Sequence, residues 1–282
     1  MEIPGLLERC AENMRAGRID TADVENLRRW NAAFEPHSAP VAAGFLAAPT
    51  ADWDRLVTGH AAYGHHWYDF ICDGITIDEI AAFLLENHCY PRFLTLLERI
   101  REAQLGDDAR AAIDDNIHDE HHPEPHADLM RRLMLAVKAR ARPDLRLSLY
   151  PSLIHRTLIY YYGFFCDPWH LVGAVFATER LGTRRMVCMH EGLRRLGLTE
   201  HELMFTTIHI ECDDHHAGDW LDRVIVPSSA VNPAIRARIA CGIAACLETS
   251  RDYLDFLTGR IMTDRSVIAG ASSYAPGIVG SV

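Results

Sequence analysis

This sequence lacks any excess of positive charge. Its 28 Lys and Arg stand against 39 Asp and Glu, giving a formal net charge of −11. Nucleic acids and anionic membranes need a basic face, so neither is expected as a partner. No run approaches the roughly 20 apolar residues of a membrane span. The opening stretch, MEIPGLLERCAENMRAG, has acidic residues and no long apolar core, so it does not read as a secretory signal. The eight cysteines include no C-x-x-C pair and read as reduced, mostly buried thiols of a cytoplasmic protein. Internal repeats and convincing alternating strands are also missing. No E-x-x-H occurs anywhere in the chain, which argues against a ferritin-like iron store, where that element would be expected on the ligand helices.

What is present is helical periodicity. The 282 residues are 49% apolar and 24% charged, an ordinary globular composition large enough for a sizeable core. The pattern predicts helices over 20–34, 50–60, 78–104 with a kink at Pro91, 107–120, 126–140, 154–165, 168–181, 185–196, 199–224 and 233–262. Prolines 36, 40 and 49 predict a loop, and Thr199 with Glu202 reads as a capping box. The fold class is therefore all-α, one domain of seven or more helices over residues 1–265. Residues 1–76 form a helical extension packed on it, and the small-residue stretch 266–282 is a flexible tail.

The chemistry gathers in IHIECDDHHAG, residues 208–218. On a helix, His209, Asp213 and His216 are spaced by four and three and share one stripe. Phe205, Ala217 and Trp220 extend that stripe and are apolar or small. Imidazole and carboxylate together suit iron, manganese or zinc. Asp214 and His215 point elsewhere, and Cys212 reads as a small buried filler. One helix cannot complete a metal site, and two other segments offer partners. In NIHDEHHPEPHADLM, Asp119 and Glu120 end one helix and His126 begins the next, while His121 and His122 read as loop. In GAVFATERLG, Glu179 follows an almost wholly apolar helix. It either reaches water at a helix end or faces the core, where a metal would be a better partner than Arg180, about 100° away.

In this order, N-x-x-D-E, His, a Glu in a buried helix and H-x-x-x-D-x-x-H, the chain resembles the haem-oxygenase-like diiron oxidases and oxygenases. The matching region runs from about Ile77 to Leu221. The H-x-x-x-D-x-x-H element is the specific part of the match. The resemblance implies a haem-oxygenase-like helical bundle in which Glu120, His126, Glu179, His209, Asp213 and His216 are the metal ligands and the catalytic centre. Asp119 is the alternative to Glu120, because two prolines break the helix before His126. It further implies two Fe(II) ions and O₂ as cofactors, with an external reductant for further turnovers. The substrate would be a small amino acid, amine or fatty-acid-like molecule undergoing N-oxygenation, desaturation or oxidative C–C cleavage, in a monomer or homodimer. The helix RTLIYYYGFFC with Trp169 is expected to line a dry aromatic pocket, and Arg156 or His155 to meet a substrate carboxylate. Haem oxygenases of this fold bind haem through a His near the chain start, a role that no residue here takes up. A non-catalytic metal-binding or partner-binding helical protein is the alternative.

Overall fold

The computed structural model describes residues 3–87, 92–143 and 151–263. The helices are α1 (Ile3–Ala16), α2 (Thr21–Ala47), α3 (Trp53–Thr58), α4 (His66–Asp73), α5 (Ile77–Asn87), α6 (Phe93–Arg101), α7 (Asp107–Asp119), α8 (His126–Arg140), α9 (Pro151–Cys166), α10 (Pro168–Arg195), α11 (Met204–Asp219), α12 (Val226–Val231) and α13 (Pro233–Thr263). No strand occurs among the described residues, and no helix among them is long and apolar enough to cross a membrane. The expected tail and Pro91 lie outside the described residues. The stretch expected as one helix from 78 to 104 is occupied by α5 and α6.

The central element is α10, packed along α13 and flanked by α9, α11 and α4. Asp167 starts it by accepting from the backbone N–H groups of Trp169 and His170, with Pro168 at the first helical position. Glycines allow α10 and α13 to cross closely. A Cβ on Gly173 would overlap the Ile239 carbonyl, and one on Gly242 would overlap the His170 carbonyl. Two apolar clusters form the core. One takes α10 from Leu171 through Leu181 together with α2, α9 and the first half of α13. The other takes α10 from Met189 on, together with α4, α5 and the end of α13. Along α10, Gly182, Thr183, Arg184 and Arg185 fall between the two.

Three elements differ from the sequence expectation. The stretch with Pro36 and Pro40 is helix, not loop. Both prolines lie on the exposed side of α2, while Leu27, Trp30, Phe34, Ser38, Ala42 and Phe45 keep a buried stripe running through the region. Each proline removes one backbone donor, and on that side water can satisfy the carbonyls left free. Second, 168–181 and 185–196 are one continuous helix rather than two. Third, the capping box does form, with Thr199 N donating to Glu202 Oε2 (2.8 Å) and Glu202 N to Thr199 Oγ1 (3.4 Å). It closes a turn, however, and α11 starts only at Met204. This helix ends at Asp219 in a π-helical turn, Trp220–Ile225, where Val226 N donates to Leu221 O. Pro227 follows and has no N–H for the Arg223 carbonyl, so the wider turn accommodates the interruption. The sequence reading also passed over α1 and α4. Of the seven described cysteines, all unpaired, only Cys10 and Cys246 are fully buried.

Candidate metal centre

Four helices supply the candidate ligands. From α7 come Asn116, Asp119 and, as the residue capping its C-terminus, Glu120. His126 opens α8, Glu179 comes from α10, and α11 supplies His209, Cys212, Asp213 and His216. Buried Ala217 and Trp220 and partly buried Phe205 seat α11 against the core, as the apolar stripe around its ligand residues requires.

The donors fall into two groups. In the first, ligand atoms of Glu120, His126 and His209 all lie within 4.8 Å of one another. His126 Nδ1 is 3.4 Å from Glu120 Oε2. His126 Nε2 lies 3.2 Å from the His122 carbonyl and His209 Nδ1 2.7 Å from the Phe205 carbonyl. If each of those nitrogens carries its proton and donates it, the other ring nitrogen is left as a lone pair. His126 Nδ1 is buried and makes no hydrogen bond, as a nitrogen reserved for a cation should be. Burial pushes His209 down to about 4, so its ring is neutral. Burial alone would also lower His126, but the Glu120 carboxylate outweighs it and raises this group. Glu120 responds in the opposite sense. Burial would raise it, and the three imidazoles of His126, His209 and His216 together hold it low.

The second group is Cys212, Asp213 and His216, with Glu179 beside it. His216 Nδ1 is 3.9 Å from Glu179 Oε1, and its Nε2 is 3.0 Å from Asp119 Oδ2. Asn116 Nδ2 donates to Glu179 Oε1 over 3.0 Å. Burial, reinforced by Asp213, pushes Glu179 up to about 8. Burial also takes Asp213 up to about 7, against the pull of Arg185. Two carboxyls forced towards neutrality in a buried space want compensating positive charge. The Cys212 thiol is pushed well above its usual range, first by burial and then by Asp213. It lies 3.8 Å from Asp213 Oδ1 and donates to it.

The six sequence-predicted residues thus converge, with Glu120 in the first group and Asp119 turned to His216. The surrounding residues were less legible. Cys212 was set aside as filler, and the roles of Asn116, Arg185 and Gly182 were not foreseen. Gly182 explains why α10 runs on unbroken, since the glycine serves close approach and does not end the helix. A Cβ there would overlap Asp213 Oδ2. Gly182→Ala should therefore move the Asp213 carboxylate and lower metal affinity by at least tenfold in a titration of the purified protein. An unchanged titration would remove Asp213 from the site.

Asp214 and His215 face solvent as expected, with Asp214 paired to Arg180. The aromatic helix α9 fills the core, and the Tyr160 hydroxyl is engaged with Thr178. Arg156 is buried, and its charge reaches Tyr68, which also feels Arg185 next to Asp213. His155 instead packs against Trp30 and Phe34, and the charges it feels are Asp252 and His37. None of these belongs to the metal groups.

The sequence profile of a family described as iron-containing redox enzymes matches residues 83–251, more than half of the chain. The chain belongs to this family. In this iron-containing redox enzyme, the matched region runs from α5 into α13 and includes both donor groups. No curated protein matches the chain.

Proposed function

We propose that this iron-containing redox enzyme is an O₂-dependent non-haem diiron oxidase or oxygenase. Its ligands would be Glu120, His126, Glu179, His209, Asp213 and His216. Its substrate would be a small amino acid, amine or fatty-acid-like molecule, altered by N-oxygenation, desaturation or oxidative C–C cleavage. The observation that supports this most is that Glu120, His126 and His209 bring ligand atoms within 4.8 Å of one another, and that Cys212, Asp213 and His216 do the same on the helix that carries His209, with buried Glu179 3.9 Å from His216. The donor set fits iron: carboxylates, imidazoles of which His209 is held neutral by burial, and a His126 Nδ1 that makes no hydrogen bond and faces Glu120 Oε2 at 3.4 Å.

When bound, two ferrous ions would supply the electrons that activate O₂. The protein's own residues do the rest. Neighbouring backbone carbonyls orient His126 and His209, and Asp119 orients His216. Asn116 fixes one oxygen of Glu179. Burial of His126, Glu179, Asp213 and His216 limits their contact with bulk water. Arg156, buried on α9, would meet a substrate carboxylate, whereas the His155 ring packs against Trp30 and Phe34 of α2.

Anaerobic Fe(II) loading tests the reading. Two irons per chain, with O₂ uptake stimulated by an amino acid, amine or fatty acid, is the expected outcome. A chain that binds no iron would be a non-catalytic helical protein instead. The choice between neighbouring carboxylates has its own test. Glu120→Gln should remove one iron and at least 100-fold of activity, while Asp119→Asn at saturating iron should stay within a few-fold of the parent. The reverse ranking would move the ligand back by one residue.

A further inference from the structure

Beside the second donor group, a cleft opens between α7 and the end of α11. It is lined by Asp115, Asn116, Asp119, His215, His216 and Asp219, with a floor of Ala112, Trp220 and Val224. We propose that this cleft is the port through which a divalent cation reaches the second donor group, and that Asp119 is the carboxylate that receives it. The proposal rests on the metal-centre reading above.

The cleft is graded from outside to inside. At the rim, Arg223 on the π-helical turn pairs with Asp108 (3.1 Å), Asp115 (3.2 Å) and Asp219 (2.9 Å). One guanidinium shared by three carboxylates leaves the rim net negative and ties α7 to the end of α11. One helical turn inward from Asp115 on α7 stands Asp119. Its side chain is 44% exposed, yet one oxygen lies 3.0 Å from Nε2 of His216, which is only 5% exposed. Asp119 therefore touches both solvent and the inner group. No cation competes for it: Arg223 takes the outer aspartates, and His216 is its one ion-pair partner among the described residues.

A second feature points to a ligand. Asn116 is 2% exposed and lines the cleft. Its NH₂ is held by Glu179, and its Oδ1 is buried with no hydrogen-bond partner. An amide oxygen left without a donor suits a hydrated cation, either directly or through the cation's water. The steps inward are thus the rim carboxylates, then Asp119 with the Asn116 oxygen, then His216, Asp213 and Glu179. All are hard oxygen or imidazole donors, as a divalent transition metal requires.

Co(II) alone, added under nitrogen to the full-length protein and followed by its ligand-field absorption, tests this without turnover. The parent should take up two equivalents. Asp119→Asn should fill the second about tenfold more slowly, with the same final stoichiometry. Asp115→Lys, whose side chain is at the rim and not in the site, should slow uptake in the same direction. Added salt should slow the parent more than either variant. Uptake at the parental rate in both variants would overturn the port. So would an Asp119→Asn protein that loads at the parental rate but releases metal faster, since Asp119 would then only orient His216. Loss of the second equivalent outright would make Asp119 a ligand and also overturn its role as receiver. Failure of the parent to bind Co(II) would overturn the port together with the diiron reading, whereas two equivalents at unaltered rates would overturn the port alone.

Discussion

Alanine at His209, Asp213 or His216 should strip iron from the protein and leave its helices in place. Each truncation removes one donor from a group of three ligand atoms, and a site with two remaining protein donors from that group holds a hard cation weakly. The fold has little reason to fail. The seating of α11 comes from Ala217, Trp220 and partly buried Phe205, none of which is altered. Removing a carboxyl that burial has already pushed towards neutrality, as at Asp213, also relieves unfavourable desolvation. We expect fewer than two irons per chain, at least 100-fold less substrate-stimulated O₂ uptake, and far-UV circular dichroism close to the parent. Three variants that all keep two irons and full O₂ reactivity would refute the ligand stripe.

The metal-free protein should lose stability as the pH rises from 6.5 to 8. Glu179 at about 8 and Asp213 at about 7 are both raised above their ordinary values of 4.5 and 3.8. Raised acids keep protons in the folded state that the unfolded chain has already released. Their stabilisation is complete at low pH and is lost as the pH climbs through 7 and 8. His209 and His170 are both lowered by burial to about 4. Their stabilisation is present above 6.5 and is lost as the pH falls towards 4. The two trends oppose each other below 6.5, and above it the carboxyls are joined by His126, which Glu120 raises and whose stabilisation is likewise lost as the pH rises. A loss of about 2 kcal/mol between pH 6.5 and 8 is expected in urea titrations of the metal-free protein. Iron needs both carboxylates deprotonated, so Fe(II) should reverse the slope in this window. A flat or rising metal-free curve between pH 6.5 and 8 would mean that Glu179 and Asp213 are not buried together.

The residues that announced the site in the sequence are those whose spacing is a property of one helix. His209, Asp213 and His216 repeat by four and three, and His126 follows two prolines that start its helix. Pairings between helices had no such signal. Nothing in the order of residues says that Asp119 turns to His216 while its neighbour Glu120 turns to His126, or that Asn116 reaches Glu179 across 63 positions. Local rules also misled where tertiary packing overrode them. Pro36 and Pro40 read as breakers, yet a buried stripe carries α2 through them. Residues 168–181 and 185–196 read as two helices, yet they are one, and Gly182 between them lets Asp213 come close to α10. The capping box at Thr199 was real, but the turn it closes precedes the helix it was expected to start.

The glycine-lined crossing of α10 and α13 has a mechanical consequence. With Gly173 under the Ile239 carbonyl and Gly242 under the His170 carbonyl, neither helix can slide along the other without driving backbone into backbone. Glu179 is less than two turns from that crossing, on a wall that stays fixed. The opposite wall, α11, ends in a widened turn, and its polar links to α7 are the His216–Asp119 contact and the Arg223 ion pairs at that turn, which can lengthen or swing at little cost. Any breathing that admits an ion or a substrate should therefore be one-sided, with α11 moving against a stationary Glu179.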